Sequence, residues 1–261
     1  MHTIYFPDLA RVASHPVPTS PGVAAPIPLL IVGDEAHHAT RVKRMIVGDP
    51  VRLVDGKGAH TNAKIHEIRK SGKDWVLELR ADAIRNTPPS SPILEACVAS
   101  PKGDHLSDMI DGLSQVGVTR WRSLSSSRAI VEPRDGKLER LSRTCFEAMK
   151  QCGRLHSLEV GTSINFADAL TPDPIPGRRA LILADSSGAP LAQLQPTQAA
   201  AIKAATFVRL LVGPEGGFSP EELNQAREAG AAIVCFGKHT MRIETAAVVA
   251  AAMVDAFVAR A

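Results

Sequence analysis

Phe207-Val208-Arg209-Leu210-Leu211-Val212-Gly213-Pro214-Glu215-Gly216-Gly217-Phe218-Ser219-Pro220-Glu221-Glu222-Leu223 runs from an apolar block through a glycine-rich turn into a capped polar segment. Phe207 to Val212 is almost wholly apolar, the pattern of a strand covered on both faces. Pro214 stops it. Gly216 and Gly217 can take backbone angles that side chains forbid, and they let a ligand lie against the main chain. Ser219 then reads as a helix cap, with Pro220 at the first helical position and Glu222 closing a capping box. A loop constrained on both sides in this way suggests a binding edge.

A second unit of the same kind follows. Gly230 is a stop for the helix that begins at Pro220. Ala231 to Phe236 reads as another buried strand, ended by Gly237, and Lys238-His239-Thr240-Met241-Arg242 leads into an alanine- and valine-rich helix over Ile243 to Arg260. Two consecutive strand, loop and helix units place both loops at the carboxyl edge of one parallel sheet, where open α/β sheets bind ligands. Working outward, Ala180 to Ala184 is a further buried strand ending at Asp185-Ser186-Ser187-Gly188, and Ile93 to Ala99 is apolar. Asp104 to Gln115 and Glu139 to Lys150 have helical character, whereas Pro172 to Arg179 and Gly188 to Thr197 read as loops.

Upstream the pattern changes. Val51 to Val54 alternates and ends at Asp55-Gly56, a hairpin signal; Ala63 to Ile68 and Trp75 to Leu79 alternate as well. Short strands with turn signals predict a small barrel over residues 1–83. The prolines and serines of Asn86 to Pro92 can continue neither sheet nor helix, so 84–92 reads as a linker and 93–261 as the α/β domain.

The chain has 261 residues, enough for two domains that each bury a core, and its 44% apolar and 22% charged content is that of a globular protein. Net charge is only +3, but Arg41 to Lys73 holds nine Lys or Arg against Asp49, Asp55 and Glu67. Such a local surplus can neutralise phosphates, giving affinity that falls with salt. Cys97, Cys145, Cys152 and Cys235 show no C-x-x-C spacing and read as reduced thiols. Met1 to Phe6 lacks the blocks of a signal peptide, and the run Ala246 to Val254 is too short to cross a bilayer, so a cytoplasmic location is expected. No dinucleotide fingerprint, no phosphate-binding P-loop and no H-E-x-x-H occurs; the adjacent His37 and His38 point to different helix faces, and no metal is expected.

Gly213-Pro214-Glu215-Gly216-Gly217 together with Gly237 and Met241-Arg242-Ile243-Glu244-Thr245-Ala246 resembles the closing motifs of the SPOUT methyltransferases. The similarity is greatest to the RsmE family, which methylates a uridine ring nitrogen in 16S ribosomal RNA. His37 to Met45 followed by Gly48-Asp49 resembles that family's amino-terminal domain. Pro101-Lys102-Gly103-Asp104, Gly117-Val118 and Gln151-Cys152-Gly153-Arg154 resemble its catalytic-domain motifs. The resemblance implies a PUA-like RNA-binding barrel followed by a knotted, trefoil SPOUT-like domain, a homodimer, and a pocket for S-adenosylmethionine. The chain departs from the family pattern at Gly112, Gln115, Ser127 and Lys150, on the expected substrate side.

Methylating a uridine ring nitrogen requires removal of its proton, alignment of nitrogen, methyl carbon and sulfur, and a pocket for adenosine built largely from backbone. Small-residue loops suit the last need. The expected cofactor contacts are therefore Gly213, Gly216, Gly237, Thr240, Met241 and Thr245, with Glu215 beside them; the resemblance implies that the strand end at Ala184 and Asp185 forms the first of three cofactor loops, which makes these two weaker candidates. Arg242 is expected to hold a phosphate or the uracil oxyanion. Glu244 is expected to bind cofactor or cap amides, or simply to complement a helix dipole. Arg41, Lys43, Arg44, Lys102, Gln151 and Arg154 are the expected RNA contacts. Two rival readings follow from the departures: a SPOUT enzyme with another RNA target, such as a ribose 2'-hydroxyl, and a ribosome-assembly factor that binds RNA without catalysis.

Overall fold

The computed structural model describes residues 1–13, 26–129, 135–171 and 177–259. They divide into two units, Met1–Pro89 with Met149–Ser157, and Ser90–Ala148 with Leu158–Ala261.

The first unit contains β1 (His2–Tyr5), α1 (Leu9–Ala13), β2 (Ile27–Val32), α2 (Asp34–His37), β3 (Pro50–Val54), β4 (Ala59–Ser71), β5 (Asp74–Ala81) and β6 (Arg85–Asn86). A single turn of π-helix, His38–Val42, extends α2. The strands form a six-stranded sheet in the order β1-β3-β4-β5-β2, with β6 on β4. β1 is parallel to β3, and the other neighbours are antiparallel. Alternation sends Val51, Leu53, Ala63, Ile65, Leu77 and Leu79 into the core. The Asp55-Gly56 signal does make a turn: Asp55 Oδ1 accepts the amides of Lys57 (2.7 Å) and Ala59 (2.9 Å), which brings β4 back along β3.

The segment read as a linker is structured at its start. It supplies β6, and the Thr87 amide donates to Gly58 O at 3.0 Å. A Cβ on Gly58 would lie 2.3 Å from Thr87 O, so only glycine permits this approach. The first unit also takes in residues well beyond 83. Ser157 N donates to Gly56 O (2.8 Å), and Lys150 Nζ pairs with Glu35 Oε1 (2.7 Å).

The second unit contains β7 (Ile93–Val98), α3 (His105–Gln115), β8 (Arg120–Ser125), α4 (Asp135–Cys152), β9 (Glu159–Val160), β10 (Ile164–Asn165), α5 (Phe166–Leu170), β11 (Arg179–Pro190), α6 (Pro196–Lys203), β12 (Phe207–Val212), α7 (Pro220–Glu228), β13 (Ala232–Cys235) and α8 (Ile243–Val258); the end of α4 counts with the first unit. The sheet has seven strands in the order β10-β8-β7-β12-β11-β13, with β9 on β8. Every pairing is parallel. Helices cover it, as a parallel sheet requires.

β12 lies near the middle, between β7 and β11, and each of its residues is buried. Arg209 is tolerated there because Glu95, its register partner on β7, pairs with its guanidinium, while Ala169 O (2.9 Å) and Thr171 O (3.1 Å) accept from Nη1. Burial, and then the Glu95 carboxylate, push the neighbouring Cys97 thiol well above its ordinary range.

Two expectations for this unit need correction. β11 does not end at Ala184. It bulges through Asp185–Gly188 and rejoins β13, so that Ala184 and Ala189 both align with Val234. Gly188 to Thr197 is therefore not simply loop, since it holds the end of β11, a 3-10 turn at Leu191–Gln193 and the start of α6. The last described helical residue is Val258; Arg260 and residues 172–176 lie outside the described residues. α8 packs against α3, β7, β12 and α6. Gly112 explains how closely α3 and α8 approach: a Cβ there would lie 2.7 Å from Val248 Cγ2.

Candidate active site

The ends of β11, β12 and β13 converge at the carboxyl edge of the second sheet. Each strand is followed by a segment with a specific reason to turn. After β12, Gly217 adopts φ 66° and its amide donates to Pro214 O at 2.8 Å, closing the turn. Only glycine takes that angle without strain. Gly213 packs beneath Phe218, whose ring atoms would lie 3.0–3.2 Å from a Cβ placed there. Phe218 is itself buried and fixed by a tilted contact with Phe166, 5.4 Å between centroids.

α7 then starts as its sequence predicts. The Ser219 side chain accepts from Glu222 N (3.2 Å), Glu222 Oε2 accepts from Ser219 N (2.8 Å), and Pro220 opens the helix. Such a cap contributes about 1 kcal/mol. Hydrogen bonding to its own backbone amide, then to Ser219, holds the Glu221 carboxyl below its ordinary range. The sequence alone gave no sign of a second task for Glu222: its Oε1 accepts the Ser127 amide at 2.8 Å. Beside it Arg128 Nη1 donates to Gly216 O at 2.6 Å. The segment after β8 is thus tied to the glycine turn at Gly216 and to the start of α7 at Glu222.

After β13, Cys235 Sγ donates to Gly237 O at 3.1 Å, and a Cβ on Gly237 would meet Met241 Cε at 3.3 Å. After Ala184, Asp185 Oδ1 accepts the Ser187 amide (2.9 Å) and hydroxyl (2.6 Å), rounding off the β11 bulge. These segments enclose a cavity of about 520 Å³. That lies within the ~300–1,000 Å³ range of small-molecule sites.

Of the expected cofactor contacts, Ala184, Gly213, Glu215, Gly216, Gly237, Thr240 and Met241 all line this cavity, as does Asp185. Thr245 is not among the lining residues and is exposed. Helical geometry gives the reason: Ile243 and Ala246, three apart on α8, share the face turned to the cavity, and Thr245 falls off it. Leu223, Phe236 and Ile243 supply apolar wall that the motif comparison did not single out. Their signal was weak, because an apolar residue at a strand or helix end reads as core.

Arg242 and Glu244 stand beside the cavity rather than in its wall. Arg242 is exposed at the N-cap of α8 and makes no side-chain cap bond. Glu244, in the first turn, lies 3.7 Å from His105 Nδ1 at the start of α3. Lys102 is exposed in the turn before α3, where Gly103 has φ 67°. Arg41, Lys43 and Arg44 are exposed after α2, Gln151 is exposed at the end of α4, and Arg154 is half-buried; all five belong to the first unit.

Three of the departures from the family pattern have structural occupations. Gly112 admits Val248, Gln115 Nε2 donates to Asp111 Oδ2 (2.7 Å) and Lys150 pairs with Glu35, whereas Ser127 meets Glu222 only through its backbone amide and its side chain has no structural explanation. Among the described residues no group of three or more His, Cys, Asp or Glu could hold a metal ion. No helix among them is long and apolar enough to cross a membrane.

A parallel sheet with loop-built cavity, preceded by a small mixed-sheet unit, is the architecture of a SPOUT-like RNA methyltransferase with a PUA-like domain. Residues 89–255 match the family profile of the RNA methyltransferase domain, and residues 31–73 that of the RNA methyltransferase PUA domain. The chain belongs to this RNA methyltransferase family, in its RsmE branch. It is 28% identical over 224 residues to the ribosomal RNA small subunit methyltransferase E of Synechocystis, covering 85% of this chain and 71% of that one. It is 25% identical over 240 residues to the enzyme of the same name from Mycobacterium bovis, covering 88% and 87%. The crystal structure of the Neisseria gonorrhoeae ribosomal RNA small subunit methyltransferase E, bound to S-adenosyl methionine, shares the fold with a TM-score of 0.75 at 24% identity over 98% of this chain and 97% of that one.

Proposed function

We propose that the chain transfers a methyl group from S-adenosylmethionine to the ring nitrogen of a uridine in 16S ribosomal RNA, giving 3-methyluridine, as a cytoplasmic homodimer with the knotted topology of its family. The observation that carries this reading is the cavity framed by Gly213–Gly217 and Gly237–Met241. Its donor set fits the cofactor. Backbone at Gly213, Gly216 and Gly237 can approach a ligand closely, Leu223, Phe236 and Ile243 offer apolar surface to a purine, and Asp185 and Glu215 offer carboxylates to hydroxyls and cationic groups. When bound, S-adenosylmethionine supplies an electrophilic methyl on a sulfonium whose charge disappears on transfer.

The chain's own residues do the rest. The capped α7 and the Arg128–Gly216 bond hold the glycine turn before ligand arrives, so little ordering cost remains at binding. Arg242, exposed at the mouth of α8, is placed to steady the uracil oxyanion or an adjoining phosphate. Glu244 orients the start of α8 with His105, and Lys102 offers a phosphate contact from the turn before α3. Thr245 stands off the cavity face of α8. Because the departures at Gly112, Gln115 and Lys150 each occupy a structural position, they give little support to a different target nucleotide.

The test is methyl transfer from labelled S-adenosylmethionine to unmethylated small subunits and to naked 16S RNA, with nucleoside mass spectrometry. Labelled 3-methyluridine is the expected product. A ribose-methylated nucleoside would move the target, and cofactor-independent RNA binding without transfer would restore the assembly-factor reading.

A further inference from the structure

The turn Arg41-Val42-Lys43-Arg44-Met45-Ile46-Val47 interleaves charge and grease in full view of solvent. Val42, Ile46 and Val47 are 58%, 66% and 58% exposed, and Arg41, Lys43 and Arg44 are exposed among them. Among the described residues none of these cations has an acidic partner. The one nearby carboxylate in the turn, Asp49, is already engaged, accepting the Ile46 amide at 2.9 Å.

The turn is also held in shape. Met45 N donates to Ala39 O (3.0 Å) in the helical turn, Gly48 N to Ile65 O (2.8 Å) on β4, and Asp49 N to Ile46 O (3.2 Å) within the segment, so one end is held by the helix and the other by the sheet. Ile46 and Val47 therefore cannot fold back to hide their side chains. Arg44 has φ 54°, the one non-glycine residue with positive φ among the described residues. That conformation costs about 1–2 kcal/mol for a residue with a Cβ. Strain of this kind gathers at ligand clamps, where the fold fixes what the ligand needs.

We propose that Arg41–Val47 grips unpaired RNA, its cations on phosphates and Val42, Ile46 and Val47 against a splayed-out base. The proposal rests on the RNA-methylation reading and specifies how the first unit would recognise its substrate. Unpaired RNA is the form that presents base faces; an A-form duplex presents phosphates and 2'-hydroxyls and would leave the aliphatic side chains in water. No aromatic residue is among the large exposed apolar side chains of the described residues, so the platform for a base here is aliphatic. A second copy of the chain fits poorly. A two-fold interface would set the three cations against their own counterparts.

The experiment uses the full chain with fluorescently labelled, transcribed 16S RNA, a uridine-rich single strand and a duplex of equal length, each across a salt series. Ile46→Ser/Val47→Ser is expected to weaken binding to 16S RNA and to the single strand about tenfold at every salt concentration, with the salt slope unchanged. Duplex binding by this variant should match the wild type. Lys43→Ala is expected to lower the slope by about 0.7–0.9 instead. Both substitutions are at exposed positions, and an unchanged Tm checks the fold. Wild-type affinity for the single strand in the serine variant, or equal losses on duplex and single strand, overturns the base-contact role. Unchanged RNA binding with a smaller sedimenting species assigns the turn to a contact between copies and overturns it too. Small ribosomal subunits are titrated alongside: a wild-type chain that binds neither them nor these RNAs overturns the RNA reading itself and this surface with it, whereas binding to subunits with no affinity for the single strand overturns this surface alone.

Discussion

The cavity at the carboxyl edge of the parallel sheet and the turn at Arg41–Val47 are both made by loops, yet by opposite means. The cavity is made by main chain and short side chains: Gly213, Gly216 and Gly237 remove bulk, while a capped helix and the Arg128–Gly216 bond fix what remains. The turn is made by side chains standing outward from a strained backbone at Arg44. A small cofactor is met by shaped backbone, whereas a long polyanion is met by spaced charge with a little exposed apolar surface. The two sites should therefore fail differently when mutated.

The largest effect is expected beneath the cavity. Arg209→Ala leaves Glu95 buried at the centre of the sheet with only the longer 3.5 Å pair to Arg120, a loss of about 3 kcal/mol by chemical denaturation. Because Arg209 lies on the strand that carries the glycine turn, cofactor binding should fall with it, while RNA affinity of the first unit persists. Simultaneous loss of both would break the separation drawn here. Next is Glu222→Ala, which frees the Ser219 and Ser127 amides and should cost about 1–2 kcal/mol in denaturant titrations, with weaker cofactor binding as Ser127–Arg128 loosens.

Arg44→Gly should act with opposite sign on stability and binding. Relief of the positive φ should raise stability by about 1 kcal/mol, read as a higher Tm, while RNA affinity and its salt slope fall. A variant that gains stability and keeps full affinity would mean that Arg44 contributes nothing to recognition. The smallest effect belongs to Thr245→Ala. It stands off the cavity face of α8, so S-adenosylmethionine affinity should stay within about twofold, roughly 0.4 kcal/mol.

Sequence legibility divides along the same line. The strand Phe207–Val212, its glycine turn and the Ser219–Glu222 capping box could be read directly, because each depends on neighbours within a few residues. The β11 bulge could not be read. Its resumption at Ala189 is defined by Val234, far along the chain, and the strand partner is invisible in a local pattern. Gly112 looked like a lost substrate contact, whereas its need comes from Val248 on another helix. Lys150 likewise gains its meaning from Glu35, 115 residues away. Thr245 is suggested by its place in a motif, whereas counting α8 by helical turns from Ile243 puts it off the cavity face. Exposure of Ile46 and Val47 was hidden for the converse reason, since apolar residues next to a strand are ordinarily taken as core.

The central claim is that the loops after β11, β12 and β13 hold the methyl donor, and calorimetric titration of S-adenosylmethionine into the wild-type chain and Gly237→Val tests it most directly. Valine at 237 would crowd Met241, whose Cε is only 3.3 Å from the Cβ position, and would occupy cavity space. The account predicts wild-type binding and a loss of at least about 100-fold, roughly 2.7 kcal/mol, in the variant, with far-UV circular dichroism unchanged. Equal affinity of the two proteins would contradict it and place the methyl donor elsewhere in the fold.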